Sequence, residues 1–390
     1  MTNITGDQAL VKKINTSIIL NTIIRNAPLS RAKVSELTGL NKATVSNLVL
    51  ELCDNHLVQE IGPGESSGGR KPRMLLFNGE AGYAVGVEIR LKQMMAVLTD
   101  LEGRILAEEE CMLEQHDVSS VLDMMIHMIN GLMKLAPNSH YGIVGVGVGV
   151  PGMVDGDGMV LFAPNLGWEM VPLQQLLENE IGVPVTIDNE ANAGAQGELR
   201  FGAGRDAKHL LYISAGSGIG SGIIINGELY KGARGYAGET GHMTIEADGK
   251  ECSCGNRGCW ELYASEKAYD LTRSTLPSRR TSELVKLAEQ GHAETIDHFS
   301  EMGRYLGVGI TNLVNGFNPQ SVVIGGPLSD ARDWIGDTMQ KVVSERTLPY
   351  HREEMEIHFA ELGSRSTVIG AAYSAVSQFL GPVRVSMPVN

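Results

Sequence analysis

The sequence predicts an α/β protein in which an N-terminal winged helix-turn-helix precedes a two-lobed α/β body. Three observations predict it. Residues 11–77 carry a support-helix pattern, a tight helical pair and two short strand patterns around a glycine-rich loop. From residue 81 onward, strand-like runs alternate with helical ones, the mark of an α/β layer structure. The strand-rich stretches fall into two blocks, as expected of two lobes that flank a cleft. The expected division is 1–80 for the winged unit and its linker, 81–200 for the first lobe and 201–366 for the second. The helical end, 367–390, is expected to pack back on the first lobe.

With 390 residues, 43% apolar and 20% charged, the chain can bury two or three cores. The uncharged stretch 141–154 is too short and too rich in Gly to span a bilayer, and no apolar leader opens the chain. A cytoplasmic protein is expected. A net charge of −14 counts against nucleic acid as a partner, yet the charge is unevenly spread. Residues 1–79 hold nine Lys/Arg and six Asp/Glu, a balance of +3, whereas the remainder holds 23 and 40, a balance of −17. A basic arm on an acidic body fits a DNA reader joined to a separate sensor.

Apolar residues at Val11, Ile14, Ile18, Ile19, Ile23 and Ile24 follow the three-and-four spacing of an amphipathic helix. Pro28 ends it. Ser30 then caps a second helix over 31–38, Gly39 breaks it, and Asn41 caps a third that runs to residue 55. In a helix-turn-helix the start of that third helix faces the major groove. Asn41, Lys42, Thr44, Ser46 and Asn47 stand there, able to bond phosphates or base edges, with Arg31 and Lys33 placed to anchor the neighbouring backbone. Ala32, Leu37, Val45 and Leu48 are expected in the core. Strand patterns at 57–61 and 73–77 flank the loop 62–72, which as a wing carries Arg70 and Lys71 towards phosphates or a minor groove, and as a plain linker leaves them solvated.

In the body, strands are expected at 83–89, 94–99, 105–109 and 142–150, with a helix at 118–135. Gly145, Gly147 and Gly149 share one face of the fourth strand, where a backbone or a ligand can come close. Later strands are expected at 183–187, 210–213, 222–225 and 321–324, and helices at 191–201, 265–275, 292–317 and 367–379. No repeat of 20–50 residues is evident.

Three of the five cysteines crowd into eight residues, Cys252, Cys254 and Cys259, shortly after His242. One imidazole and three thiolates make a closed tetrahedral zinc site, and four protein ligands make its role structural. Cys53 and Cys111 are left as buried thiols. Glu239 and Glu261 flank the metal set in sequence, and with Asn189 and Glu190, which spacing alone does not bring near them, their carboxylates and amide suit the paired hydroxyls of a polyol; taken singly, each carboxylate also reads as a cap or a solvated charge. Gly216, Gly218, Gly220 and Gly222 follow a strand and either cradle an anion or form a hairpin turn.

The segments GVGVGVPGMVD, FAPNLGW, DNEANAGAQGE, ISAGSGIGSGIIING, GYAGETGH and CSCGNRGCWELYAS together resemble the ROK family of sugar-responsive repressors and sugar kinases. SRAKVSELTGLNKATVS, SSGGRKP and CSCGNRGCWELYASEKA are most similar to its xylose-operon repressor branch. The resemblance implies an actin-like ATPase fold behind the winged unit, a homodimer and a sugar pocket between the lobes. It implies that Asn189, Glu190, Glu239, His242 and Glu261 contact the sugar, and that zinc holds His242 and the Glu261 loop in register with it. It also implies operator DNA as partner and D-xylose as the effector that releases it.

The sequence departs from the family's kinases where they carry DxGGT, whose glycines let the backbone approach ATP phosphates. Glu88-Ile89-Arg90-Leu91-Lys92 stands there, with both glycines gone, and Glu190 replaces the catalytic Asp. A repressor without catalytic activity is therefore expected. The alternative is an ATP-dependent sugar kinase with an appended DNA-binding domain.

Overall fold

A computed structural model of the chain describes residues 8–63, 72–269 and 280–381. Its N-terminal unit consists of α1 (Gln8–Asn26), β1 (Leu29–Ser30), α2 (Arg31–Thr38), α3 (Lys42–Asp54), β2 (Val58–Pro63) and β3 (Arg73–Phe77), with the strands in the order β1-β3-β2. The Ser30 hydroxyl accepts from the Lys33 N–H at the start of α2, and the Asn41 side chain accepts from the Thr44 N–H at the start of α3. Gly39, at φ 70°, closes α2 in the left-handed conformation, so the short turn needs a residue without a side chain. Ile19, Ile23, Val34, Val45, Leu48, Val49, Leu75 and Phe77 form the core.

Ala32 and Leu37 do not join that core, contrary to the expectation from the sequence. Leu37 is 49% exposed, and Val34 takes the buried face, because a helix of two turns can turn only a narrow stripe inward. Residues 64–71, and with them Arg70 and Lys71, lie outside the described residues.

The first sheet is built from β4 (Tyr83–Ile89), β5 (Gln93–Asp100), β6 (Ile105–Met112), β7 (Ile143–Val150) and, after a small hairpin sheet, β11 (Val185–Asn189). The small sheet comprises β8 (Met153–Val154), β9 (Val160–Ala163) and β10 (Trp168–Val171). Helices α4 (Val118–Leu135) and α5 (Leu173–Ile181) cover one face, where Val146, Val148 and Val150 of β7 meet Met125, Ile129 and Leu177. Helix α6 (Glu190–Phe201) leads from β11 towards the second sheet.

That second sheet holds β12 (Leu210–Ala215), β13 (Ile219–Ile225), β14 (Glu228–Leu229), β15 (Ser321–Gly325) and β16 (Glu356–Phe359). Between them run α7 (Glu261–Ala264), α8 (Thr281–Glu289), α9 (Ala293–Phe317), α10 (Arg332–Arg346) and α11 (Pro349–Arg352). The two sheets share one topology. Each begins with a three-stranded antiparallel meander and then adds two parallel strands beside its first strand, giving β11-β7-β4-β5-β6 and β14-β13-β12-β15-β16.

The expected helix over 265–275 is not found. Its first part is a short 3-10 turn, Glu266–Ala268, because extended Ser265 breaks the chain direction, and residues 270–279 lie outside the described residues. Cys53 and Cys111 are half-buried rather than buried, with Cys111 against the sulfurs of Met124 and Met128.

The last helix, α12 (Ser366–Leu380), crosses back onto the first sheet. Gly86 of β4 and Gly147 of β7 are paired in register and face it, and the backbone of Val368 and Ala371 fills the space a side chain would take. Further along α12, Ala375 and Val376 enter the core of the N-terminal unit, and Phe379 meets the edge of Tyr141 at 4.8 Å. The Tyr141 hydroxyl in turn donates to the Asn55 carbonyl, 2.8 Å away, just beyond α3. One helix therefore touches both the first lobe and the winged unit.

Candidate functional site

The metal set is assembled by two irregular segments that the chain must turn sharply to form. The turn Thr240–His242 supplies His242, and the loop after it doubles back through isolated bridges Thr244↔Cys259 and Glu251↔Arg257. Gly258 sits at φ 69° against the Glu246 carbonyl, where a Cβ would come within 1.7 Å, so only glycine fits. The ligand atoms of His242, Cys252, Cys254 and Cys259 lie within 4.8 Å of one another. Cys254 and Cys259 sulfurs are 3.7 Å apart, as are the Cys252 sulfur and His242 Nδ1. A tetrahedral zinc with bonds of about 2.3 Å to sulfur separates its thiolates by about 3.8 Å, so the set fits the ion in both chemistry and size. Burial pushes the Cys259 thiol up to about 12, with Cys254 and Cys252 adding to it, and burial also raises Cys252. Exposed Cys254 is lowered by the Asn256 N–H.

Glu261 opens α7 directly beside this set and is 4% exposed. Its Oε1 lies 3.4 Å from the Cys252 sulfur, 3.9 Å from His242 Nδ1 and 2.8 Å from Lys267 Nζ. Its Oε2 turns the other way, towards Gly218, whose added Cβ would stand 2.9 Å from it. Two residues on, the equivalent position at Gly220 lies 3.9 Å from Glu190 Oε1. One short strand edge is thus flanked by a carboxyl from the start of α6 and another from α7.

The glycines of this edge form a β12–β13 hairpin, with Ala215 paired to Ile219 and the Gly216 N–H bonded to Gly218 O at 3.0 Å. Gly222 gives room to Ala195 of α6, whose Cβ would be 2.3 Å from a side chain there. Helix packing accounts for that glycine.

Burial pushes the Glu190 carboxyl up to about 8, with the charges of Glu239 and Glu88 adding to the effect. It holds its proton at neutral pH and can donate a hydrogen bond. Glu239 is more exposed, but burial still raises its carboxyl, His242 opposing and Glu261 reinforcing. Asn189 is mostly committed to the fold. Its Oδ1 accepts from the N–H groups of Ala191 and Asn192, capping α6, while Nδ2 donates to Gly152 O at 2.9 Å and to Glu190 Oε2 at 3.3 Å.

Three partners of this cleft escaped the sequence. Lys267 pairs with Glu261; Lys231, from the second lobe, pairs with Asp188 of β11 at 2.6 Å. Thr367 at the start of α12 donates to the Glu190 carbonyl at 3.1 Å. For Lys267 the spacing ELYASEK offered a weak signal, a cation one turn and one reversal after the glutamate. For the others nothing local points to the pairing.

At the N-terminal unit, Asn41, Lys42 and Asn47 are exposed on α3, and Thr44 and Ser46 are half-buried. Arg31 turns inward to this face. It donates to Ser46 O at 3.4 Å and pairs with Glu60 Oε1 at 2.7 Å, and Glu60 Oε2 pairs with Arg73 at 2.8 Å. Hydrogen bonding to Arg73, with Arg31 adding to it, holds the Glu60 carboxyl below its ordinary value. Lys33 pairs with Glu36 at 2.6 Å.

Residues 84–378 match the ROK family. The chain belongs to the ROK family. The two sheets of one topology are the lobes of its actin-like ATPase fold. This ROK chain is 41% identical to the xylose repressor of Bacillus spizizenii over 97% of its own length and 99% of that protein. Among solved structures, a ROK family transcriptional regulator homologous to the Escherichia coli MLC protein superposes with a TM-score of 0.79 at 26% identity, covering 95% of this chain and 96% of that one. A ROK glucokinase from Streptomyces griseus, solved with glucose and AMPPNP, reaches 0.68 at 32% identity but covers 75% of this chain and 98% of its own. The quarter of this ROK chain beyond the glucokinase's reach is about the size of the winged unit.

Where ROK kinases carry the DxGGT glycines, this chain places Arg90. Its guanidinium bonds Glu88 at 2.6 Å and also the Ser364 carbonyl before α12. Glu88 itself is buried. A side chain and its counter-ion therefore fill the stretch in which a phosphate loop needs bare backbone.

Proposed function

We propose that this ROK chain is a sugar-responsive transcriptional repressor that binds operator DNA as a homodimer and leaves it when D-xylose enters the cleft. The observation that carries this reading is the near full-length similarity to a xylose repressor, joined to a winged helix-turn-helix whose exposed start of α3 presents Asn41, Lys42 and Asn47. Thr44, Ser46, Arg31, Lys33, Arg70 and Lys71 complete the DNA-binding set, with Arg31 holding the α3 backbone to the wing strand. The three units are 1–80, 81–200 and 201–366, the protein works in the cytoplasm, and among the described residues no helix is long and apolar enough to cross a membrane.

Asn189, Glu190, Glu239, His242 and Glu261 form the sugar site. Neutral Glu190 donates to one hydroxyl, the Glu261 carboxyl accepts from others, and Asn189 holds the start of α6 in place. Zinc on His242, Cys252, Cys254 and Cys259 is structural; four protein ligands leave it no open position, and it fixes the imidazole and the Glu261 loop relative to the cleft. The protein carries no catalytic residue, because the phosphate stretch is filled by Arg90 and Glu88.

Sugar shifts the population only if it binds the DNA-incompetent arrangement more tightly. Gel-shift titration of an operator fragment with the full chain tests the reading: xylose should release it. Glu261→Gln should keep operator binding and lose the release. Turnover of ATP with any sugar of a panel would favour the kinase reading instead, and release that survives Glu261→Gln would remove Glu261 from the sugar site.

A further inference from the structure

We infer that Lys267 is a positioning residue of the sugar site, a cation that holds the Glu261 carboxylate in its sugar-accepting orientation beside an anionic metal centre. The inference rests on the sugar-site reading above.

Zinc with three thiolates and a neutral imidazole carries a net charge of −1. Glu261 Oε1 stands 3.4 Å from one of those sulfurs, inside the protein. Two like charges at that separation repel strongly where water is scarce, and a carboxylate without a counter-ion would turn away. Lys267 Nζ lies 2.8 Å from the same Oε1, and among the described residues it is the Lys or Arg paired with Glu261. Its ammonium offsets that repulsion and fixes Oε1 as the oxygen that faces the Cys252 sulfur.

The chain is built to bring it there. Ser265 donates to the Glu261 carbonyl at 2.5 Å and accepts from the Lys267 N–H at 3.1 Å, so the backbone reverses within one turn of α7. The Glu266 N–H bonds Gly216 O at 2.8 Å, and the Glu266 carboxylate accepts from both the N–H and the hydroxyl of Thr281. The two residues before Lys267 are thus anchored, and its long side chain needs to order only itself.

The consequence falls on Oε2. With Oε1 committed to Lys267, Oε2 is directed at the glycine edge, where Gly218 leaves the space that a Cβ would close to 2.9 Å. Lys267 Nζ is 4.0 Å from that same point, so cation, carboxylate and glycine border one small volume. A sugar hydroxyl that donates to Oε2 there meets an acceptor fixed in direction, which is the preorganisation that binding requires.

Calorimetric titration of the full-length protein with xylose, without DNA, tests this, together with zinc content and operator affinity. Lys267→Met should weaken xylose binding at least tenfold while zinc stays at the wild-type stoichiometry and operator affinity stays within twofold. Lys267→Arg, which keeps the charge, should recover most of the binding. Wild-type xylose affinity in Lys267→Met would overturn the inference, and so would loss of zinc in both variants, which would make Lys267 a support of the metal loop alone. Absence of xylose binding by the wild-type protein would instead sink the choice of effector, and the same titrations would then be run with the sugar that does bind.

Discussion

A Cβ atom on Gly147 would lie 1.8 Å from the carbonyl oxygen of Ala371, so strand β7 and helix α12 touch backbone to backbone. Gly86 does the same one strand over, with 2.1 Å to the Val368 carbonyl. The α12 helix seated by these contacts continues from the Glu190 carbonyl, through Thr367, to Phe379 and Tyr141 beside the winged unit.

Gly147→Ala should therefore destabilise the protein by about 3 kcal/mol or more, since neither backbone can move without disturbing its sheet or its helix. Denaturant unfolding measures it. A change under about 0.5 kcal/mol would show that α12 is not seated as described.

Glu190 gives a pH signature. Its folded-state carboxyl titrates at about 8, well above the ordinary value of 4.5, so the folded chain keeps a proton that the unfolded chain releases. Stability is then lost as pH rises from about 4.5 towards 8 and is level above that. Glu190→Gln cannot ionise, so its stability relative to wild type should improve by on the order of 2 kcal/mol between pH 5 and pH 8, less than the full shift because water reaches the cleft. Parallel urea midpoints for the two proteins across that range would contradict the assignment.

The metal set predicts a proton count. Cys252 and Cys259 are raised by burial and hold their protons in the metal-free protein at neutral pH. Zinc added to chelator-treated protein should displace about two protons or more per chain, read as the dependence of binding heat on buffer ionisation, and affinity should fall as the solution is acidified. A heat independent of buffer would argue against thiolate ligation.

On the DNA face, Lys42 and Asn47 should behave differently. Lys42→Ala should weaken binding to all sequences and lower the slope of log K against log salt by about 0.9, the value of one lost phosphate contact. Asn47→Ala should cost about 1–3 kcal/mol on the preferred operator and relax its base preference. Fluorescence anisotropy over a salt series separates them, and equal effects on operator and random DNA for both would place α3 outside the groove.

The sequence by itself determined what depends on nearest neighbours. Ser30, Gly39 and Asn41 fix the helix-turn-helix because caps and left-handed glycines act over three or four residues. His242 with the cysteine trio shows its chemistry because ligands so closely spaced have few other uses. The glycine alternation of 145, 147 and 149 marked a close approach but not what approaches; the tertiary structure supplies α12, from more than 200 residues away. Likewise only the folded chain shows that its two sheets repeat one topology, since hydrogen-bond order can be duplicated without any repeat in side chains. The cleft was decided there as well. Lys231 meets Asp188, and Glu190 and Glu261 reach neighbouring glycines, because α6 and α7 converge on one strand edge, and ion pairs across such distances in sequence leave no local pattern to read.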